Sequence, residues 1–401
     1  MVVDRSVIPI VPIEAYRSKV FSFDKQTVDC VIRPMDKTMI SGGASGGQAY
    51  AGSLSAWSRT LGWALSFSLV YRKVLPRIGF RALPFYILVR SAVLLLPVRV
   101  LANPYFMQIE PTTRCDLSCR FCPREHLPIK GEDLTLDTFR RIIDHNPFVV
   151  AVLLQGLGEP LLHPEIEGMI RYGRSKRIFM GICTNGMALT ADRFERLTSS
   201  GLNYLAISVD GTGEAFEAMR NGARFDLLIE RLSEIKNKGI RGGLMAFWMR
   251  LCRQNFDQVL PVLDLARAFG VAHVHFQDLQ YKHDAEYLHD LSLSSFLNGS
   301  GMSTFLASAR RQAARRGIVT TFDPMDRHQK RTHCTWPWEK MYIDCRGDVW
   351  PCCVAWERDY AMGNLLASSL SEVWKGSRYR NFRRALRDGP LPMICRECRF
   401  L

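Results

Sequence analysis

The sequence predicts an α/β protein: a partial (β/α)6, TIM-like barrel with an N-terminal helical extension and a small cysteine-rich C-terminal domain. Three observations carry this. From residue 104, six short apolar runs alternate with segments of helical spacing. Before that point, residues 1–103 hold 13 Lys+Arg against 5 Asp+Glu and are rich in apolar residues. Nine of the twelve cysteines fall in two groups, one just after the first run and one in the last seventy residues. The expected boundaries are therefore 1–103, 104–320 and 321–401.

At 401 residues the chain exceeds one average domain, and 47% hydrophobic with 23% charged residues suits a large globular core. The first residues, MVVDRSVIPIVPIEAY, lack the charged-then-apolar order of a secretory signal. A cytoplasmic chain with metal-held thiols is expected rather than a disulfide framework. The net charge of +14 is uneven: +8 lies in residues 1–103 and +6 in the rest. No acidic residue occurs between Asp36 and Glu110. In that gap lie a flexible linker, Ser41–Gly47 (SGGASGG), and two apolar basic stretches, Leu54–Val70 and Phe80–Val100. Arg90, Pro84 and Pro97 interrupt the second, so neither stretch is built to span a bilayer. Residues 54–100 fit either a helical cap on the barrel or peripheral contact with a membrane or lipid. No basic–aromatic motif of a nucleic-acid module occurs, so nucleic acid is not an expected partner.

The runs are Tyr105–Ile109, Phe148–Leu154, Ile178–Cys183, Tyr204–Val209, Leu244–Met249 and Ala272–Phe276. Between them, Phe139, Ile142 and Ile143 mark one helix. Ile166, Met169 and Ile170 mark another, with Pro164 as its expected first residue. A third helix starts at an N-cap, Thr190, and stops at Gly201. Two more run over Asp226–Lys238, stopped by Gly239, and Phe256–Phe269, capped by Asn255 and stopped by Gly270. Parallel sheets of this kind bind ligands at the carboxyl ends of their strands, so site residues are expected just after each run.

After the first run comes EPTTRCDLSCRFCP, with Cys115, Cys119 and Cys122 spaced C-x3-C-x2-C. Soft thiolates select zinc, copper or iron–sulfur. Zinc normally takes four closed ligands, and this array offers three. The spacing, with aromatic Phe121 before the last cysteine, resembles the radical S-adenosylmethionine (radical SAM) superfamily. The resemblance implies that the three cysteines hold a 4Fe–4S cluster whose open iron binds S-adenosylmethionine. Gly158, Glu159 and Pro160, in QGLGEP, match the family's Gly-Gly-Glu-Pro segment, which implies contact with the methionyl amino group. Asn185 in CTNG, with Ser208 and Asp210 in SVDG, match family positions near the ribose and the methionyl carboxylate. By themselves these tetrapeptides are also turn formers.

The C-terminal region reads Cys334, then Gly347-x4-Cys352, then Cys395-x2-Cys398. It resembles the SPASM/twitch extension of radical SAM enzymes, which implies an auxiliary 4Fe–4S cluster. No cysteine occurs from Val354 to Ile394, so the shorter, one-cluster twitch form is expected. Its ligands would be Cys334, Cys352, Cys395 and Cys398, with Cys353 the alternative to Cys352 and a zinc ribbon the alternative metal.

The family chemistry implies a 5′-deoxyadenosyl radical that abstracts hydrogen from a substrate C–H bond, with flavodoxin or ferredoxin as electron donor. The twitch form is similar to aminocyclitol dehydrogenases, which puts redox modification of a small polyol-like molecule first. A peptide-modifying enzyme, a lipid-modifying enzyme and a non-catalytic metal-binding protein are the alternatives. Cys252, after the fifth run, is either a hydrogen donor to a substrate radical or a buried packing residue.

Overall fold

The structure is a computed structural model. It describes residues 83–127, 131–236, 238–240, 243–279, 291–297, 299–322, 334–396 and 398. The chain divides into two compact units, Met1–Trp63 and Ala64–Leu401, and every described residue belongs to the second. Ser41–Gly47 and Leu54–Val70 lie outside the described residues.

All six apolar runs form strands: β1 Phe106–Ile109, β2 Ala151–Leu154, β3 Phe179–Thr184, β4 Tyr204–Ser208, β5 Leu244–Leu251 and β6 His273–Asp278. They pair in sequence order and in parallel. The sheet is larger than six strands. β7 (Val319–Phe322) adds in parallel beyond β6, and β8 (Lys340–Ile343) adds in parallel beside β1. β9 (Asp348–Trp350) and β10 (Gly363–Asn364) follow antiparallel, giving the order β10-β9-β8-β1-β2-β3-β4-β5-β6-β7. The cysteine-rich region is thus built onto the edge of the barrel sheet. The first turn of its hairpin lies level with the C-terminal end of β1, since Ile109 pairs with Ile343.

Strand alternation gives the sheet two unlike faces. Met107, Ile109, Val152, Leu154, Met180, Ile182, Leu205, Ile207, Phe247 and Met249 point to the helices and are fully or almost fully buried. They meet Phe139, Ile142 and Ile143 of the helix Leu136–Asp144, and Met169 and Ile170 of the helix Ile166–Ser175. Truncating one such residue, Phe139→Ala, would cost about 3–5 kcal/mol. The opposite, inner face carries Gln108, Cys183, Ser208, Trp248, Arg250 and His275, which belong to no large apolar cluster.

Local signals behave as expected in most places. Thr135 and Thr190 accept from the amides of Thr138 and Arg193, capping their helices. Gly201 and Gly270, after the third and fifth helices, have φ of +97° and +68°, where other residues are strained. Two expectations need correction. The second helix begins at Ile166, so Pro164 precedes it instead of starting it. Asn255 does not cap a helix: its Nδ2 donates to the carbonyls of Asp210 and Arg250, both at 2.8 Å, and its Oδ1 accepts from the Cys252 amide. A 3-10 turn, Phe256–Gln258, leads into the helix Val259–Ala268. The side chain serves the two strand ends, whose buried carbonyls would otherwise lack a partner.

The described end of the N-terminal extension is a helix, Leu83–Leu95, and the coil after it. One face is a cap. Trp338 donates to the Pro97 carbonyl at 2.9 Å and Trp374 to the Ala102 carbonyl at 3.0 Å. Arg90 lies 3.7 Å from Glu339, a fully buried carboxylate that also accepts from the Tyr105 hydroxyl at 3.1 Å. A buried charge persists only when paired and hydrogen-bonded, as here.

Candidate active site

The cysteine loop leaves the C-terminal end of β1 and is pinned from three sides. The Thr113 amide donates to the Glu132 carbonyl at 2.9 Å, and the Leu134 amide to the Pro111 carbonyl at 2.8 Å. Arg114 pairs with Asp133 at 2.6 Å. The Ser118 amide donates to the Asn221 carbonyl at 3.0 Å, and the Cys122 amide closes a turn on Cys119 at 3.0 Å. The third side is the segment after β2. There the Glu159 amide donates to the Arg114 carbonyl at 2.8 Å. A Cβ on Gly158 would lie 2.2 Å from the Thr112 carbonyl oxygen and 2.6 Å from that of Arg114. Only glycine lets the two backbones approach this closely.

The three thiols are desolvated. Burial pushes Cys115 up to about 12 and Cys119 up to about 11, and raises Cys122 as well. The three also feel one another: Cys119 raises Cys115, and Cys122 raises Cys119. Such thiols stay protonated until a metal displaces the proton. A cation is placed to favour the thiolates, since Arg220 Nη1 lies 4.0 Å from Cys119 Sγ. Phe121 sits under two guanidinium groups, Arg220 at 5.8 Å and Arg250 at 6.0 Å from its ring centre. Arg220 is in turn held by Asp210 at 2.7 Å, both almost fully buried.

The second thiol set surrounds a small cleft, partly open to solvent, beyond β8 and β9. Cys334, Cys352, Cys353, Cys395 and Cys398 line it, with Trp336, Pro337, Phe382, Leu386 and Ile394. Cys352 feels Cys334 and Cys398, and Cys395 feels the same two. Cys353 acts on Cys352 more strongly than either of those two, and on Tyr342 of β8 as well. Four thiols in an apolar cavity fit one cubane cluster, and three on the first loop fit a cubane with one open iron. Among the described residues, no three His, Cys, Asp or Glu side chains gather closely enough to hold a single metal ion.

Two family models match the chain in these two places. The radical SAM superfamily model covers residues 109–266, and the SPASM iron–sulfur cluster-binding domain covers residues 334–399. The chain belongs to the radical SAM superfamily. Its cofactors are a SAM-binding 4Fe–4S cluster, an auxiliary 4Fe–4S cluster and S-adenosylmethionine. Among curated relatives, it is 26% identical to the PqqA peptide cyclase of Streptomyces rochei, over 74% of this chain and 81% of that protein. It is 23% identical to the tungsten-containing aldehyde ferredoxin oxidoreductase cofactor-modifying protein of Pyrococcus furiosus, over 73% of this chain and 86% of that one. Among solved structures, Streptococcus suis SuiB bound to S-adenosylmethionine shares the fold, with a TM-score of 0.59 at 17% identity, covering 70% of this chain and 68% of that one.

Within this radical SAM barrel, the residues singled out from the sequence gather as follows. Gly158 and Pro160 shape the turn against the cysteine loop, and Pro160 is buried. The Glu159 side chain faces inward. It accepts from the Thr184 hydroxyl at 2.6 Å and from the amides of Asn185 at 2.7 Å and Leu161 at 3.0 Å. Burial pushes its carboxyl up to about 7 against those bonds. It ties the ends of β2 and β3 together. Asn185 Nδ2 donates to Asp116 at 2.7 Å, joining β3 to the cysteine loop, and its Oδ1 accepts from the Met187 amide. Ser208 lies on the inner face, its hydroxyl 3.6 Å from the Cys183 sulfur. Asp210 is fully buried and committed to Arg220 and to the Arg250 amide, at 2.6 Å. Its carboxylate holds the Arg220 guanidinium. Cys252 has no exposed surface and sits 3.8 Å from Met219 Sδ, in a small apolar cluster with Leu279. That is the setting of a packing residue.

Sequence reasoning did not find Arg220, Arg250, Glu110 or the inner-face rings. Glu110 ends β1 on the inner side, accepts from the Leu157 amide at 2.6 Å and is pushed up to about 7 by burial. Tyr204, Trp248 and His275 form a tilted ring series: Trp248 donates to the Tyr204 hydroxyl at 2.7 Å and lies 5.0 Å from His275. Only the inward alternation of β4 to β6 pointed to them.

Proposed function

We propose that this chain oxidises a peptide substrate, removing hydrogen from an unactivated C–H bond of one of its residues. Held by the two cysteine sets, the clusters and S-adenosylmethionine would supply one-electron reduction drawn from an external donor, hydrogen-atom abstraction and an acceptor for the second substrate electron. The chain supplies placement. Gly158 brings the β2 turn onto the cysteine loop. Arg220, fixed by Asp210, offers a positive charge beside Cys119 where a carboxylate can dock. Phe121 separates that charge from Arg250, whose guanidinium stands on the inner face with no acidic partner among the described residues.

The observation that carries the peptide reading is the chemistry of the inner face. A polyol is recognised by carboxylates and amides that accept from its hydroxyls. Here Glu110, Glu159 and Asp210 are all buried and bound to the protein's own donors. Beside Gln108 and Ser208, the inner face presents Tyr204, Trp248, His275 and a guanidinium, groups that suit a peptide's side chains and carbonyls. The relatedness to a PqqA peptide cyclase supports the same reading. The small-polyol reading, first from the sequence, finds these three carboxylates already engaged by the protein.

The test is an anaerobic reaction of reconstituted protein with S-adenosylmethionine, reductant and a set of synthetic peptides, beside a set of aminocyclitols and sugars. 5′-Deoxyadenosine should rise with a peptide that loses two hydrogens by mass spectrometry. Turnover of a polyol with every peptide left intact would overturn the reading.

A further inference from the structure

The helix Leu83–Leu95 is apolar on both sides. One side, Val89 and Ala92, is buried against the barrel, and Leu96 just after it is buried as well. The other side is bare. Ile87, Leu88, Leu94 and Leu95 are 54%, 44%, 67% and 76% exposed, and Leu101 in the following coil is 78% exposed. At 100° per residue, 87, 88, 94 and 95 fall on one contiguous strip of the helix. These five are nearly half of the eleven large exposed hydrophobics among the described residues, gathered within fifteen positions of the chain. A helix apolar all round is normally covered on all sides.

The position is specific. Val89 packs with Tyr105 and Val150, which precede β1 and β2. The strip therefore lies at the amino ends of the strands, and the cysteine loop leaves their carboxyl ends. Whatever covers the strip leaves the catalytic mouth open.

We propose that this face docks on an anionic phospholipid surface. Charge complementarity selects that occupant. From Lys37 to Ile109 the chain has eight Lys and Arg and no Asp or Glu. Arg99, between Leu95 and Leu101, is exposed. Apolar side chains enter the headgroup boundary while the cations meet lipid phosphates. No helix among the described residues is long and apolar enough to cross a membrane, so the contact is lateral.

The experiment is cosedimentation of the reconstituted full chain with vesicles of phosphatidylcholine alone or mixed with phosphatidylglycerol, across a salt series. Binding to the mixed vesicles should exceed binding to the neutral ones and weaken as salt rises. Leu94→Glu with Leu95→Glu should lower binding by about tenfold or more. Both side chains are exposed, so iron content and 5′-deoxyadenosine formation should stay unchanged. Arg99→Glu should lower binding to the mixed vesicles only. The proposal fails if the wild type does not bind, if neutral vesicles bind equally, or if the Glu pair binds like wild type. It also fails if the wild type is a dimer that the Glu pair makes monomeric, because the strip would then be covered by a second copy.

Discussion

Gly158→Ala perturbs the contact on which the first cluster's loop rests. The new Cβ would lie 2.2 Å from the Thr112 carbonyl oxygen and 2.6 Å from that of Arg114. Both are backbone atoms, so no side chain can turn away. An ordinary carbon–oxygen contact is about 3.3 Å or more, so the two segments must part by about 1 Å. The Glu159 amide bond to the Arg114 carbonyl, 2.8 Å long, would stretch with them. Overpacking of this kind costs about 1–3 kcal/mol. The functional loss should be larger, because Arg114 adjoins Cys115, and a 1 Å misplacement of reacting groups costs about 100-fold in rate. The assay is 5′-deoxyadenosine formation by anaerobically reconstituted protein, with melting temperature and iron content measured on the same samples. Gly239→Ala, where a Cβ meets nothing within 4 Å, is the control. The expected result is a melting temperature lowered by a few degrees and a rate lowered about 100-fold. A Gly158→Ala protein that cleaves S-adenosylmethionine at the wild-type rate would refute the close-approach reasoning.

Three other outcomes follow from the site. Cys352→Ala should lose about four irons per chain, the content of one cubane, while Cys353→Ala keeps them; equal loss in both would contradict the assignment of Cys352. Glu110, normally near 4.5, is raised to about 7 by burial, so its folded form prefers the proton. Its contribution to stability is whole below 4.5 and is lost as pH rises through about 7, a loss of about 3 kcal/mol. Glu110→Gln should flatten the fall in melting temperature over that window, and an unchanged slope would contradict it. Cys252→Ala should keep both 5′-deoxyadenosine and product formation, and a product carrying solvent deuterium on carbon only in the wild type would restore the hydrogen-donor reading.

The strand ends were legible because parallel strands buried by helices read as apolar runs, and the ligand-facing residues come just after them. That logic located the cysteine loop, Gly158, Asn185 and Ser208. β7 was not legible, since VTTF is four residues at a half-exposed edge and carries little apolar signal. β8 was hidden because its partner, β1, lies more than 200 residues away. Spacing could place Glu159 and Asp210 at strand ends. It could not say that both would turn inward, one to bind amides and the other to hold Arg220. Such commitments depend on which donors the fold brings near. Asn255 shows the same limit: its local context reads as a helix cap, and two buried carbonyls claim it instead. The bare side of the helix Leu83–Leu95 was equally hidden, because composition shows apolar residues without showing which of them the barrel covers.

The central claim is that Cys115, Cys119 and Cys122 hold the cluster at which S-adenosylmethionine is cleaved. The most direct measurement is anaerobic reconstitution followed by reduction in the presence of S-adenosylmethionine, with 5′-deoxyadenosine and iron quantified together. The wild type should take up about eight irons and form 5′-deoxyadenosine. The triple Cys115→Ala, Cys119→Ala, Cys122→Ala variant should keep about four irons, those of the Cys334, Cys352, Cys395 and Cys398 set, and form none. Stoichiometric zinc without iron uptake, or 5′-deoxyadenosine from the triple variant, would contradict the account.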